Sequence, residues 1–115
     1  MRAALSEIQR IPTSGARAVA TFTVAGRQLL AIPQLARDAP GSPPGMNGGD
    51  SDTDLLLLQS AGGRFEPWSA LPAPGGEDAE FFTIGGRSFL AVASIRTGSP
   101  DGFSVAIRLP SASLA

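Results

Sequence analysis

The 115-residue chain has no cysteine and no histidine. Without them there is no disulfide, no thiol nucleophile, no Ser-His-Asp triad and no zinc site built on these ligands. Lysine is absent too: all nine basic residues are arginine, set against ten acidic residues for a net charge of −1. The arginines are scattered, whereas a nucleic-acid surface needs a patch, so no nucleic-acid partner is expected. No apolar run approaches the ~20 residues of a membrane span, and no N-x-[ST] sequon occurs. The opening MRAALSEIQRIP lacks a signal-peptide core, so an export signal would have to lie elsewhere. What remains is a chain of ordinary apolar content, the size of one small domain or of part of a larger one.

The sequence is organised around residues 75–94, GGEDAEFFTIGGRSFLAVAS. Two short strands, 79–84 and 87–93, flank Gly85-Gly86, which can supply the positive φ values of a two-residue hairpin turn. Glu80, Phe82 and Ile84 alternate with Phe81 and Thr83. On the return strand Leu90 and Val92 share one face, with Phe89, Ala91 and Ala93 on the other. Both faces are largely apolar, so this hairpin expects cover on both sides.

The same unit stands sixty positions earlier, in residues 15–34, GARAVATFTVAGRQLLAIPQ. Pro12, Gly15, Phe22, Thr23, Gly26, Arg27, Leu30 and Ala31 recur as Pro72, Gly75, Phe82, Thr83, Gly86, Arg87, Leu90 and Ala91, with no gap. The chain is an internal repeat. Upstream, residues 5–11 (LSEIQRI) read as a weakly amphipathic strand whose counterpart is 65–71 (FEPWSAL), with Ile8 matched by Trp68. Pro and Gly mark the turns at 12–15 and 72–75.

Residues 37–53, RDAPGSPPGMNGGDSDT, break the pattern with three Pro, four Gly and no periodicity. They read as a mobile surface loop. The matching connection at 96–102 is about ten residues shorter, so the loop is an insertion into a repeat of propeller-blade length. Residues 54–59, DLLLLQ, then form a continuous apolar strand matched by 103–109, FSVAIRL. The expected organisation is a first repeat and blade over 1–60, carrying the insertion at 37–53, and a second over 61–115. Each is a four-stranded antiparallel meander, and the class is all-β.

This order of features resembles the EAR repeat, also called EPTP, of leucine-rich glioma-inactivated proteins and related receptor ectodomains. The second copy matches that pattern at Phe65, Gly75, Asp78, Phe82, Ile84, Gly86, Leu90, Val92 and Ala93. The first matches at Gly15, Ala16, Phe22, Val24, Gly26 and Leu30, but has Ala18 at the acidic position and Leu5 at the aromatic opening. The resemblance implies blades of a seven-bladed β-propeller, secreted or at the cell surface, that binds proteins without catalysis. Two such repeats leave an outer face open on either side.

The residues that could carry chemistry are acidic. Asp50, Asp52 and Asp54 place carboxylates at alternate positions, the kind of oxygen donor that Ca²⁺ takes. An EF-hand is rejected, because Leu55 and Ala61 stand where its Gly and Glu belong. The three aspartates are the candidate metal ligands, and Ca²⁺ is the one cofactor considered. Glu77, Asp78 and Glu80 form a second group. The resemblance puts its acidic position near the channel end of a blade, where an ion could sit, but an Arg17–Glu77 contact between adjacent blades is the favoured reading. A glycosidase pair is not supported, since no platform for a sugar accompanies these carboxylates and Trp68 is the lone tryptophan.

The reading is therefore a non-catalytic module for binding a protein ligand. The alternative is a carbohydrate- or Ca²⁺-dependent surface-binding module. Phe22, Leu30, Phe82 and Leu90 are assigned to one face, with Leu29 and Phe89 on the other, and both faces need neighbours. Head-to-tail association would then give a homo-oligomer of even blade number, three chains for six blades or four for eight. In a longer polypeptide the rest of the propeller would cover the same faces.

Overall fold

The computed structural model describes residues 4–41, 49–95 and 104–110. Every regular element among them is a strand: β1 (Ala20–Val24), β2 (Arg27–Ile32), β3 (Asp54–Ala61), β4 (Arg64–Pro72), β5 (Gly76–Ile84), β6 (Arg87–Ser94) and β7 (Val105–Arg108). No helix long and apolar enough to cross a membrane occurs among the described residues. The strands make two antiparallel sheets, β1-β2-β3-β4 and β5-β6-β7. Three hairpins turn on two residues with positive φ: Ala25-Gly26 (53° and 76°), Gly62-Gly63 (58° and 83°) and Gly85-Gly86 (57° and 77°). Positive φ at both central positions is the type I′ turn, whose twist matches that of the strands it joins.

The repeat and the sheet are out of phase. Strand β4 lies in the second repeat by sequence, yet it is the fourth strand of the first sheet, paired with β3 from Asp54↔Pro72 to Ala61↔Arg64. The reason is the turn, because two residues permit only a hairpin back onto the preceding strand. The first sheet thus runs from Ala20 to Pro72, across the boundary expected at residue 60. The second sheet has three described strands rather than four. Residues 5–11 form no strand, although their counterparts make up most of β4.

The turns also correct the expected faces. Phe82 stands opposite Phe89, and Phe81 opposite Leu90. Likewise Phe22 faces Leu29, and Thr21 faces Leu30. Directly paired residues share a face, so Phe22 groups with Leu29, and Phe82 with Phe89. We call the face carrying Phe22 or Phe82 the front of its sheet, and the face carrying Leu30 or Leu90 the back. Phe82 and Phe89 stack with ring centroids 5.5 Å apart.

The core lies where the front of the first sheet meets the back of the second. Phe22, Val24, Leu29, Ala31, Leu55 and Leu57 pack with Ala79, Leu90 and Val92, and Phe81 joins them half-buried. Phe22 and Phe81 stack across this joint at 4.9 Å, an arrangement worth about 0.5–1.5 kcal/mol beyond area burial. Leu29, Leu55 and Leu90 are completely buried, each contributing about 1.5–3 kcal/mol. The run Leu55–Leu58 is apolar throughout because both faces of β3 are covered. On the back of the first sheet a smaller cluster joins Leu30, Ile32 and Leu58 to Leu56, Phe65 and Ile11.

The insertion is structured at its base. Arg37 and Asp50 exchange both backbone hydrogen bonds at 2.8 Å, and Ser51 and Thr53 are buried. Reading the whole of 37–53 as irregular loop therefore overreaches. Residues 42–48, which hold Asn47 and most of the Pro and Gly, lie outside the described residues.

Candidate functional site

Where β2 ends, Pro33 and Gln34 run into the next blade, and Gln34 becomes a polar node. Its side chain is buried. The Oε1 atom accepts from the Ser14 N–H at 2.7 Å, and Nε2 donates to the Asp54 carbonyl at 2.9 Å. Its own carbonyl accepts from Thr53 Oγ1 at 2.7 Å and from the Gly76 N–H at 3.0 Å. Thr53 Oγ1 in turn accepts from the Gly75 N–H at 3.2 Å. One glutamine and one threonine so tie the base of the insertion, the first sheet and the start of the second into a single network. Buried and satisfied, such a network rigidifies what it joins.

Above this node opens a hollow of about 210 Å³ lined by Ser14, Gln34, Arg37, Asp52, Thr53 and Asp54. Arg37 reaches across it, its Nη2 donating to the Asp52 carbonyl and lying 3.5 Å from Asp50 Oδ2. Asp50 Oδ1 accepts from the Asp52 N–H at 3.0 Å. Asp50 is thus engaged with arginine and backbone, and Asp54 uses its carbonyl for Gln34. Among the described residues no group of three or more carboxylates gathers to hold a metal. The hollow presents one guanidinium and two exposed aspartates at a loop end, a surface for polar recognition.

The second acidic group separates. Glu77 Oε1 lies 3.4 Å from Arg17 Nη2, an ion pair between the first repeat and the second sheet, as favoured from sequence. Asp78 Oδ1 accepts from the Ala79 N–H at 2.8 Å, beside a register shift between Gly76 and Asp78, and Glu80 is exposed. Trp68 is half-buried against the main core, with the Arg27 guanidinium 6.0 Å from its ring centroid. A larger apolar hollow of about 500 Å³ opens on the back of the first sheet among Ile11, Pro12, Leu56, Leu58, Pro67 and Trp68.

Gln34 and Thr53 escape a reading of the sequence alone. Gln34 has serine as its counterpart at position 94, so the repeat hides it. Thr53 is grouped with the loop, although it directly precedes β3 and could have been taken as that strand's anchoring residue.

A search of curated proteins returns no match to this chain, and neither does a search of solved structures. The family model for the EPTP domain matches twice, over residues 5–51 and 64–108. Each match starts in the segment that is, or corresponds to, a fourth strand, and each includes the glycine hairpin. All-β, built of paired propeller-type sheets and matched over both of its repeats, the chain belongs to the EPTP domain family.

Proposed function

We propose that this chain is a non-catalytic module that binds a protein ligand at the end of the blades where the insertion emerges, in a secreted or cell-surface setting. The observation that carries the reading is the Arg37/Asp52/Asp54 hollow, seated on a rigid node yet bordered by exposed charge. Functional contacts concentrate on loops held by a rigid scaffold. At about 210 Å³ the hollow falls short of the ~300–1,000 Å³ usual for small-molecule sites, which favours a protein surface as the ligand. EPTP repeats form interaction domains, which accords with the same assignment.

The test is binding of the immobilised chain to a panel of extracellular ectodomains and, in parallel, to a glycan array, with and without Ca²⁺. Saturable binding to a protein that survives chelation and is weakened by Asp52→Arg is the expected result. Binding confined to glycans and lost on chelation would overturn this reading in favour of a carbohydrate- or Ca²⁺-dependent module.

A further inference from the structure

We propose that copies of this chain assemble head to tail, and that residues 5–11 of one copy add to the second sheet of its neighbour as the missing fourth strand. The proposal concerns how blades are completed and does not rest on the ligand-binding reading.

The first observation is the offset between repeat and sheet. Residues 5–11 correspond to 65–71, and 65–71 lie in β4, the edge strand of the first sheet. Among the described residues no strand pairs with the outer edge of β7. The segment also has the side chains of a strand that has lost its neighbours. Leu5 is fully exposed and Ile8 is 67% exposed, whereas their counterparts Phe65 and Trp68 pack against the two apolar clusters. In its own chain the segment is held by Ile11, packed with Leu30, Ile32 and Leu58, and by polar contacts. Gln9 Nε2 donates to the Phe65 carbonyl at 2.6 Å, the Phe65 N–H donates to Gln9 Oε1 at 2.8 Å, and Arg64 Nη1 donates to the Ile8 carbonyl at 2.9 Å.

The second observation is the joint already present within the chain, front of the first sheet on back of the second. On the front of the second sheet, which no other sheet covers among the described residues, half-buried Phe82 and Phe89 repeat Phe22 and Leu29, and Ile84, 64% exposed, repeats Val24. On the back of the first sheet, Leu30 and Ile32 repeat Leu90 and Val92; in the single chain they are buried with Ile11 against them, so the face opens to a neighbour only as residues 5–11 move to the neighbour's sheet. A second copy therefore presents to Phe82 and Phe89 the kind of face that Phe22 and Leu29 already meet, with Thr21 in place of Phe81. The same neighbour satisfies both needs, because a fourth strand leads directly into the first strand of the next blade, as β4 leads into β5.

A ring closed by copies of this two-repeat chain alone takes three or four of them, for six or eight blades.

The register is specific. Leu58 pairs with Leu30 where Ile107 pairs with Leu90, which makes Arg108 the equivalent of Gln59. Gln59 faces Glu66, the counterpart of Ser6, so Ser6 of one copy falls opposite Arg108 of the next. Directly opposite residues of this kind lie ~5.5 Å apart between Cα atoms, within disulfide range.

The chain has no cysteine, so Ser6→Cys and Arg108→Cys can be introduced singly into exposed positions. Mixed under a glutathione redox buffer, the two variants should form the heterodisulfide several-fold in excess over either homodisulfide. Light scattering of the unmodified chain should give three or four times its 11.7 kDa mass at micromolar concentration. Ile8→Asp, at a position exposed in the single chain, should reduce that mass to one chain and leave the circular dichroism unchanged. A single-chain mass at every concentration would overturn the proposal and hand the open face to another partner. So would equal homodisulfides, a bridge closing within the Ser6→Cys/Arg108→Cys double variant, or an assembly indifferent to Ile8→Asp.

Discussion

Gly76 lies so close to Pro33 that a Cβ built on it would stand 2.9 Å from the Pro33 Cβ. The Gly76 N–H meanwhile donates to the Gln34 carbonyl at 3.0 Å, so backbone meets backbone where one blade passes to the next. A proline ring has little freedom to retreat. Gly76→Ala should therefore destabilise the fold by about 1–3 kcal/mol through overpacking. Urea denaturation reads this as a lower midpoint at unchanged slope.

At the turns the limiting factor is conformation rather than space. Gly86 has φ of 77°, but an added Cβ there meets nothing within 4 Å. Gly86→Val should cost about 1–3 kcal/mol through backbone strain alone. Ala25, at φ 53°, already bears such strain. Ala25→Gly should raise stability by about 0.5–1 kcal/mol. Thermal melts of the two variants should shift in opposite directions.

Thr53 and the insertion should separate cleanly. Replacing 42–48 by a short Gly-Ser linker should leave the midpoint nearly unchanged, since a doubling of loop length changes closure entropy by only about 0.6 kcal/mol. Thr53→Val keeps the shape but removes the hydroxyl that serves Gln34 and Gly75 in a buried position. It should cost about 1–3 kcal/mol. Equal losses from the two changes would place the loop itself in the core.

The Arg17–Glu77 pair spans the two repeats, yet each side chain is more than a third exposed. Glu77→Gln should change stability by less than about 1 kcal/mol, and the difference should shrink further at high salt. Paired denaturation curves at low and high ionic strength provide the measurement.

Ca²⁺ should bind the Asp50/Asp52/Asp54 segment no more tightly than about 10⁻⁴ M, because Asp50 is engaged with Arg37 and no bidentate glutamate completes the set. Isothermal calorimetry decides this, and submicromolar binding would contradict it.

Much of the strand pattern was legible because the repeat prints it twice. The three I′ turns follow from Gly-rich dipeptides between alternating runs, and β3 from its unbroken leucines. The pairing of faces was not legible by alternation alone, since alternation says which residues in a strand agree but not which face the next strand shares with them. Only the turn length sets Phe82 opposite Phe89. The assignment of β4 was hidden for a related reason: sequence similarity marks the unit that is copied, whereas hydrogen bonding marks the unit that folds. Gln34 and Thr53 were missed because their roles depend on what lies across the joint. The Arg17–Glu77 contact was found because two repeats in register put unlike charges at equivalent places.

The offset between copied unit and folded unit bears on how such chains lengthen. Had each copied unit been one complete sheet, a tandem duplication in the gene would add a self-contained block whose only attachment is face to face. Here every inserted unit arrives with the outer strand for the sheet before it and lacks the outer strand of its own last sheet. Lengthening by whole repeats therefore leaves every internal junction laced by backbone, however many units are added. The number of unfinished ends stays constant, which frees repeat number to vary without a new solution to edge protection at each step.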